Sequence, residues 1–146
     1  MIKIAHRGNL EGPNQTYENE PSYIIEAMKE GFDVEIDVRL IENKLYLGHD
    51  IPEYLVGLNF LKNDKFWCHC KNIDALKILL YNNIRCFYHN TDDATLTNDG
   101  YIWTYPGKHL TEKSICLMPE RDNFNIPKYV AGVCSDYVAD LEDYIK

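Results

Sequence analysis

Two carboxylates lie two residues apart in an apolar stretch, Val34-Glu35-Ile36-Asp37-Val38. In a β-strand, Glu35 and Asp37 project from one face about 7 Å apart, and the aliphatic residues project from the other. Two such acids repel each other unless a proton or a cation lies between them. A divalent ion (Mg²⁺, Ca²⁺ or Mn²⁺) is the simplest candidate, because these ions prefer oxygen ligands. The alternative interpretation is an exposed strand face with two solvated acids.

Histidines occur where apolar runs end, and four of the five (His6, His49, His69 and His89) share this placement. His6-Arg7-Gly8 combines a group that exchanges protons near neutral pH, a cation that grips phosphate and a flexible turn residue. Gly48-His49-Asp50 is a second such cluster, although each cluster alone is also compatible with a surface turn. Ligand sites of parallel sheets lie at the carboxyl ends of the strands. We therefore expect one shared site.

Strands and helices alternate in the predicted structure, which favours a parallel sheet. The predicted strands are short runs of β-branched and aromatic residues bounded by Gly, Pro or Asn. They cover residues 2–5, 33–40, 44–47, 65–70, 84–88, 101–105, 114–118 and 130–134. Helices are predicted at 21–30, 74–81 and 140–146, with Gly31 as the stop signal of the first.

Five short motifs follow one another in the first third of the chain. They are His6-Arg7-Gly8, Glu18-Asn19-Glu20, Gly31-Phe32-Asp33, Glu35-Ile36-Asp37 and His49-Asp50. This order resembles the glycerophosphodiester phosphodiesterase family, within the superfamily that includes phosphatidylinositol-specific phospholipase C. That family shows His-Arg-Gly, Glu-Asn-Thr, Gly-Ala-Asp, acid-x-acid and His-Asp in the same order. Fainter matches at 69–71, 102–104 and 133–137 extend the resemblance over the whole chain, as in a short, minimal member.

The resemblance implies a metal-dependent phosphodiesterase. In that family two histidines act as acid and base, which corresponds to His6 and His49 here. Glu35 and Asp37 would hold one divalent metal ion. The remaining assignments are Arg7 and Lys71 as phosphate-binding residues and Trp103 as a wall of the pocket. His89, Glu120 and Asp136 end later strands and are candidates to complete that pocket.

The chain departs from the family at the third metal-binding acid, which is replaced by His69. Either His69 is a third ligand, which favours Mn²⁺ or another transition ion over Ca²⁺ and Mg²⁺, or it helps to bind phosphate. A zinc site at Cys68-His69-Cys70 is disfavoured, because alternation places both cysteines on the face opposite His69.

The 146 residues are fewer than the ~250 of a full eight-stranded barrel. We therefore expect one domain, residues 1–146, with a reduced TIM-barrel-like (β/α) barrel. It would have about seven to eight mostly parallel strands and few outer helices. Because few helices would cover the sheet, part of its surface would be exposed, and a homo-oligomer is expected to cover it.

The net charge of −8 argues against nucleic acid as a partner, because such binding needs a cationic surface. No apolar run is long enough for a membrane span or a signal peptide, so no membrane insertion is expected. Five cysteines, most of them in apolar runs, together with the missing leader predict a reducing, cytoplasmic setting.

The expected activity is hydrolysis of a small glycerophosphodiester at the carboxyl-terminal rim of the barrel. One alternative is a lyase of the sphingomyelinase D or phospholipase type, in which a substrate hydroxyl attacks and a cyclic phosphate forms. A second alternative is an inactive binding module on the same fold. The cost of burying unused charges argues against the latter.

Overall fold

The computed structural model describes residues 1–146 and contains ten strands in a single sheet. The strands are β1 (Ile2–His6), β2 (Asp33–Ile41), β3 (Lys44–Leu47), β4 (Tyr54–Val56), β5 (Phe66–Cys70), β6 (Cys86–Tyr88), β7 (Ala94–Leu96), β8 (Ile102–Thr104), β9 (Ser114–Leu117) and β10 (Gly132–Ser135). The helices are α1 (Pro21–Lys29), α2 (Leu58–Leu61) and α3 (Ile73–Tyr81), with 3₁₀ helices at Pro119–Asp122 and Val138–Tyr144.

The sheet is mixed and curls into a half-barrel. Its parallel part runs in the order β6-β5-β2-β1-β10-β9-β8. Antiparallel strands β3 and β4 extend the second half of β2, and β7 adds antiparallel to β8. Asn98, just after β7, exchanges two hydrogen bonds with the backbone of Cys86 in β6. The predicted α/β class with few helices is confirmed, and the sheet is mixed rather than uniformly parallel.

Alternation along the strands divides the apolar residues between two cores. The concave face carries a cluster rich in large side chains, with Trp67, Phe87 and Trp103 packed against Ile4 and Ile115. The convex face carries the larger cluster, in which α1 and α3 pack against β2 and β5 through residues such as Ile24 and Leu79. Cys68 and Cys70 lie in the convex cluster and His69 points the other way, which agrees with the argument against a zinc site.

Each of the eight predicted strands is present, with ends shifted by up to two residues. The short elements β4, α2 and β7 are additional. The C-terminal segment is a 3₁₀ helix at Val138–Tyr144 rather than the expected α-helix at 140–146. Its buried residues Val138 and Leu141 are three apart, the spacing that a 3₁₀ helix places on one side. None of the helices is long and apolar enough to cross a lipid bilayer. All five cysteines are buried and free.

Candidate active site

Strand register brings four of the predicted site residues together at the carboxyl ends of the parallel strands. His6 pairs with Glu35 across β1 and β2, and Asp37 pairs with His69 across β2 and β5. Paired residues in a sheet project to the same face. The two histidines and the two acids therefore share the concave face, above its aromatic core.

The two carboxylates are almost fully buried and incompletely hydrogen-bonded. Glu35 is 1% exposed and Asp37 0%. Asn19 donates to Asp37 Oδ2 over 2.8 Å, and its own Oδ1 accepts from the backbone N–H of Asp37 over 2.9 Å. Glu35 Oε2 and Asp37 Oδ1, in contrast, have no hydrogen-bond partner. Buried oxygens without partners are costly, and a cation is one of the groups that could satisfy them.

Burial and charge move the pKa values of the two acids apart. Burial, reinforced by the nearby charge of Asp37, raises the pKa of Glu35 from 4.5 to about 7. Burial also disfavours ionisation of Asp37, but the guanidinium of Arg7, His69, the Asn19 hydrogen bond and Lys71 together outweigh it and hold the pKa of Asp37 below its ordinary value. One acid is therefore ionised and the other poised near neutrality, as expected for like charges that share a site.

His69 completes a triad with the two acids. Its Nδ1 lies 3.8 Å from Glu35 Oε1 and 3.6 Å from Asp37 Oδ1, and one ligand atom from each residue falls within 4.8 Å of the others. Burial lowers the pKa of His69 to about 4, so the ring is neutral. Its Nε2 faces the carbonyl of His89 at 3.4 Å. An Nε2–H directed at that carbonyl leaves the Nδ1 lone pair facing the carboxylates.

His6 is held by a second carboxylate on the opposite side of its ring. Its Nδ1 lies 2.7 Å from Asp136 Oδ1, while Nε2 lies 3.7 Å from Glu35 Oε2. Burial alone would lower the pKa of His6, but the Asp136 hydrogen bond and the charge of Glu35 raise it above 6.5. Asp136 is itself held by the side-chain amide of Asn9. Its backbone N–H donates to Glu120 over 3.0 Å.

Arg7 occupies a left-handed backbone conformation, with φ of +54°, directly after the first strand. Its Nε lies 3.1 Å from Asp37 Oδ2, and one terminal nitrogen donates to Glu18 over 3.2 Å. A Cβ at the next residue, Gly8, would lie 2.9 Å from the ring of Tyr23, so the chain passes close to α1 there. Arg7 is thus paired with two acids. Strained backbone of this kind is common at functional sites.

A cavity of about 360 Å³ opens above these residues. It is lined by His6, Arg7, Glu35, His49, His69, Trp103, Tyr105, Pro106, Leu117, Met118 and Arg121. The side chain of His49 is 40% exposed and its Nδ1 lies 2.8 Å from Asp50 Oδ1. Gly48 before it has a φ of +149°, and a Cβ there would collide with the carbonyl oxygen of Ile51. The two histidines predicted as acid and base therefore line one cavity.

Other predicted site residues lie around the cavity in different roles. Trp103 lines it and stacks on Phe87, with ring centroids 4.5 Å apart. Lys71 lies 3.9 Å from Asp37 Oδ1 and outside the cavity wall. The ring of His89 stacks on Tyr105, with centroids 3.7 Å apart. Glu120 accepts from the Ser135 hydroxyl and supports Asp136 from below. His89 and Glu120 are thus neighbours of the cavity rather than part of its lining.

Sequence patterns did not single out Arg121 and Tyr105, which also line the cavity. Tyr105 follows β8 and Arg121 belongs to the 3₁₀ helix after β9, so both follow the strand-end rule that identified His6. The rule places both residues at the rim of the sheet, but it does not show which side chains face the cavity. The two residues lacked the adjacent histidine that drew attention to the other strand ends.

The site therefore combines three converging ligand atoms, a histidine held by a carboxylate and a second histidine on one cavity wall. Groups of these types are the ones that metal-assisted acid–base catalysis uses. Comparisons with protein-family models, with curated proteins and with solved structures found no match to this chain, so the chemistry of this site is inferred from its own geometry.

Proposed function

We propose that this protein is a metal-dependent phosphodiester hydrolase that acts on a small glycerophosphodiester. One observation carries the proposal. One oxygen each of Glu35 and Asp37 and a ring nitrogen of His69 lie within 4.8 Å of one another, each carboxylate has a buried oxygen without a hydrogen bond, and His6 and His49 line the adjacent cavity. The resemblance to the glycerophosphodiester phosphodiesterase family and a reduced (β/α) barrel are part of the same proposal. The curled sheet with the site at its carboxyl-terminal rim supports them.

The residues present fit a divalent cation. In the tautomer whose Nε2–H faces the His89 carbonyl, a neutral His69 without a cation would present its Nδ1 lone pair to the ionised Asp37, an arrangement that is repulsive. The second ring nitrogen of His69 faces a backbone carbonyl, which is the usual arrangement around metal-bound histidines. Two carboxylates with one imidazole favour Mn²⁺ over Ca²⁺. When bound, the cation would polarise a phosphoryl oxygen and offset the charge that develops on it.

The two histidines would move the protons of the reaction. Asp136 accepts the Nδ1–H of His6, so that Nε2 is the atom available on the cavity side. One histidine removes a proton from water as its oxygen bonds to phosphorus. The other donates a proton to the alkoxide as the old P–O bond breaks, which yields a phosphomonoester and an alcohol. Arg7, held by Asp37 and Glu18, would orient the phosphate group from the wall of the cavity.

Phosphorus NMR of the products tests this activity. The metal-free protein is incubated with glycerophosphocholine or glycerophosphoethanolamine and with Mn²⁺, Mg²⁺ or Ca²⁺ in turn. We expect glycerol phosphate as the product, fastest with Mn²⁺. A cyclic phosphate would instead indicate the lyase. Absence of turnover with all three metal ions would contradict both and leave an inactive binding module.

Metal binding can also be measured without turnover, through the melting temperature of the protein. Mn²⁺ is expected to raise the melting temperature of the wild-type protein. The Glu35→Ala, Asp37→Ala double variant is expected to lose that rise. Asp143→Asn is the matched control, because this exposed acid has no ion pair. Unchanged Mn²⁺ binding in the double variant would exclude the proposed metal site.

The setting and the assembly state remain predictions. All five cysteines are free and buried, which supports a reducing compartment such as the cytoplasm. Large apolar side chains are exposed at the edge strand β4 and on α3, among them Leu55 (63%) and Tyr81 (86%). Such surface supports a homo-oligomer. Light scattering that shows a monomer at high concentration would contradict it.

A further inference from the structure

Arg121 is a cavity-lining cation with no carboxylate partner. It takes part in no ion pair and no side-chain hydrogen bond. Arg7, the other cationic side chain on the wall, contacts both Asp37 and Glu18. An arginine that faces a cavity and lacks an internal partner is free to bind an anion from solution.

The backbone presents Arg121 from a well-anchored turn. Met118, at the end of β9, has a φ of +48°, and its carbonyl accepts from the backbone N–H of Arg121 over 2.9 Å. The neighbouring Glu120 is fixed by hydrogen bonds from the Ser135 hydroxyl and the Asp136 backbone N–H. These contacts tie the turn to the last residue of β10 and to the residue after it, so only the long side chain of Arg121 needs to be ordered by a ligand.

Arg121 lies on a different wall from the metal ligands. In the sheet, β9 is separated from β2 by β10 and β1. Three strand spacings amount to roughly 14 Å along the curved sheet. The wall on the Arg121 side is otherwise uncharged, with Tyr105, Pro106 and Met118. A phosphate held beside Glu35 and His69 would therefore direct another part of the same substrate towards Arg121.

We infer that Arg121 binds an acid group on the alcohol part of the substrate. The preferred substrates are then small phosphodiesters in which the leaving alcohol carries a carboxylate. This inference rests on the proposed phosphodiesterase activity and assigns Arg121 to specificity, with no part in the chemical step. A cavity of about 360 Å³ suits a diester of glycerol and one small alcohol.

Glycerophosphoserine and glycerophosphoethanolamine provide a matched pair of substrates, because they differ only by one carboxylate. With the Mn²⁺-loaded wild-type protein we expect kcat/KM to be about tenfold higher for the serine diester, as for one charge-assisted contact. Arg121→Gln should remove that preference and leave the rate with glycerophosphoethanolamine unchanged. Arg121→Lys should retain part of it. Lys128→Gln removes an equal charge from an exposed position outside the cavity and should change neither rate.

The other outcomes overturn the inference in distinct ways. An equal loss with both diesters in Arg121→Gln would show that Arg121 binds the scissile phosphate. No preference in the wild-type protein would exclude an acid-binding role. If neither diester is hydrolysed, the proposed function fails, and calorimetric binding of the same two diesters decides the role of Arg121. Tighter binding of the serine diester that Arg121→Gln removes would support the inference, and equal binding would overturn it.

Discussion

The two ends of the concave face differ in whether their polar groups have partners within the chain. At the amino ends of the strands, Trp67 Nε1 donates to Asp33 Oδ2 over 2.9 Å. The guanidinium of Arg85 lies 4.1 Å from the centre of the Trp67 ring, and its Nε donates to Asp99 over 2.6 Å. A terminal nitrogen of Arg85 donates to the carbonyl of Asp64. Polar groups here have partners within the chain, as in a structure selected for stability.

At the carboxyl ends of the same strands, partners are missing. Glu35 Oε2 and Asp37 Oδ1 are buried without hydrogen bonds, and Arg7 Nε, which also has none, lies in an ion pair with Asp37. β2 contributes to both ends, with Asp33 at one and Asp37 at the other, on the same face. On this one strand, Asp33 accepts a hydrogen bond from Trp67, whereas Oδ1 of Asp37, four residues further on, has no hydrogen-bond partner. Under the proposed function, a ligand would satisfy the polar atoms at the carboxyl ends, where the ligand sites of parallel sheets lie.

The largest expected effect comes from removing an acid at the unsatisfied end. Asp37→Asn should lower kcat for phosphodiester hydrolysis by roughly 10³-fold, because the charge stabilisation supplied by a bound cation is worth several kcal/mol. Asp33→Asn on the same strand face should retain full activity, since an amide oxygen can still accept from Trp67. Steady-state rates with Mn²⁺ measure both. Equal losses in the two variants would contradict a functional difference between the ends.

The second effect concerns the stability of the metal-free protein. The folded-state pKa of Glu35 is about 7 against 4.5 for the free side chain. Its favourable contribution to the free energy of unfolding is therefore complete below pH 4.5 and is lost as the pH rises through 7. The shift corresponds to about 3 kcal/mol. Glu35→Gln cannot ionise, so relative to wild type it should gain about this much stability between pH 4.5 and pH 8.

Urea unfolding of both proteins in the presence of a chelator measures this difference. His69 contributes in the opposite direction, because its lowered pKa of about 4 stabilises the fold as the pH rises towards 6.5. That contribution is common to both proteins, so the difference between them reports Glu35 together with the part of the His6 pKa shift that the charge of Glu35 causes. A constant difference across this pH range would mean that Glu35 is not strained by burial.

Much of the site at the carboxyl ends of the strands could be predicted from the sequence. Period-two alternation places Glu35 and Asp37 on one face whatever the rest of the chain does, and parallel strands bring His6 and His69 to the same rim. Arg121 could not be assigned to the cavity in this way. Its position depends on the left-handed turn at Met118 and on the anchoring of Glu120, and both are set by tertiary contacts.

The contacts around Trp67 at the amino ends of the strands could not be predicted from the sequence. Trp67, Arg85 and Asp99 come from separate segments, and no local motif indicates that they meet. The short strands β4 and β7 are also missing from the prediction, because three residues carry too little periodicity to be recognised. Together with β3, which pairs antiparallel with β2, they make the sheet mixed. The sequence pattern thus predicts the parallel strands, which carry the site, better than it predicts the short strands at the edges of the sheet.

A third, smaller effect is expected at the satisfied end. Asp33→Ala removes the acceptor of the Trp67 indole N–H, and Trp67 is fully buried. An unpaired buried donor costs about 1–2 kcal/mol of unfolding free energy. The rate of phosphodiester hydrolysis should not change, because the site lies at the other end of the strand. A loss of activity at full stability would show that the two ends are coupled.

The smallest effect is expected where the amino end meets solvent. Asp99 pairs with Arg85, and its side chain is 36% exposed. Ion pairs of this kind contribute less than about 1 kcal/mol, because water and salt screen them. Asp99→Asn should therefore lower the unfolding free energy by about 0.5 kcal/mol, and less in 1 M salt. Arg85 would keep its contact with the Trp67 ring and its hydrogen bond to the Asp64 carbonyl. A loss of several kcal/mol would instead show that Asp99 holds Arg85 over Trp67, so that the stability of this end depends on this exposed ion pair.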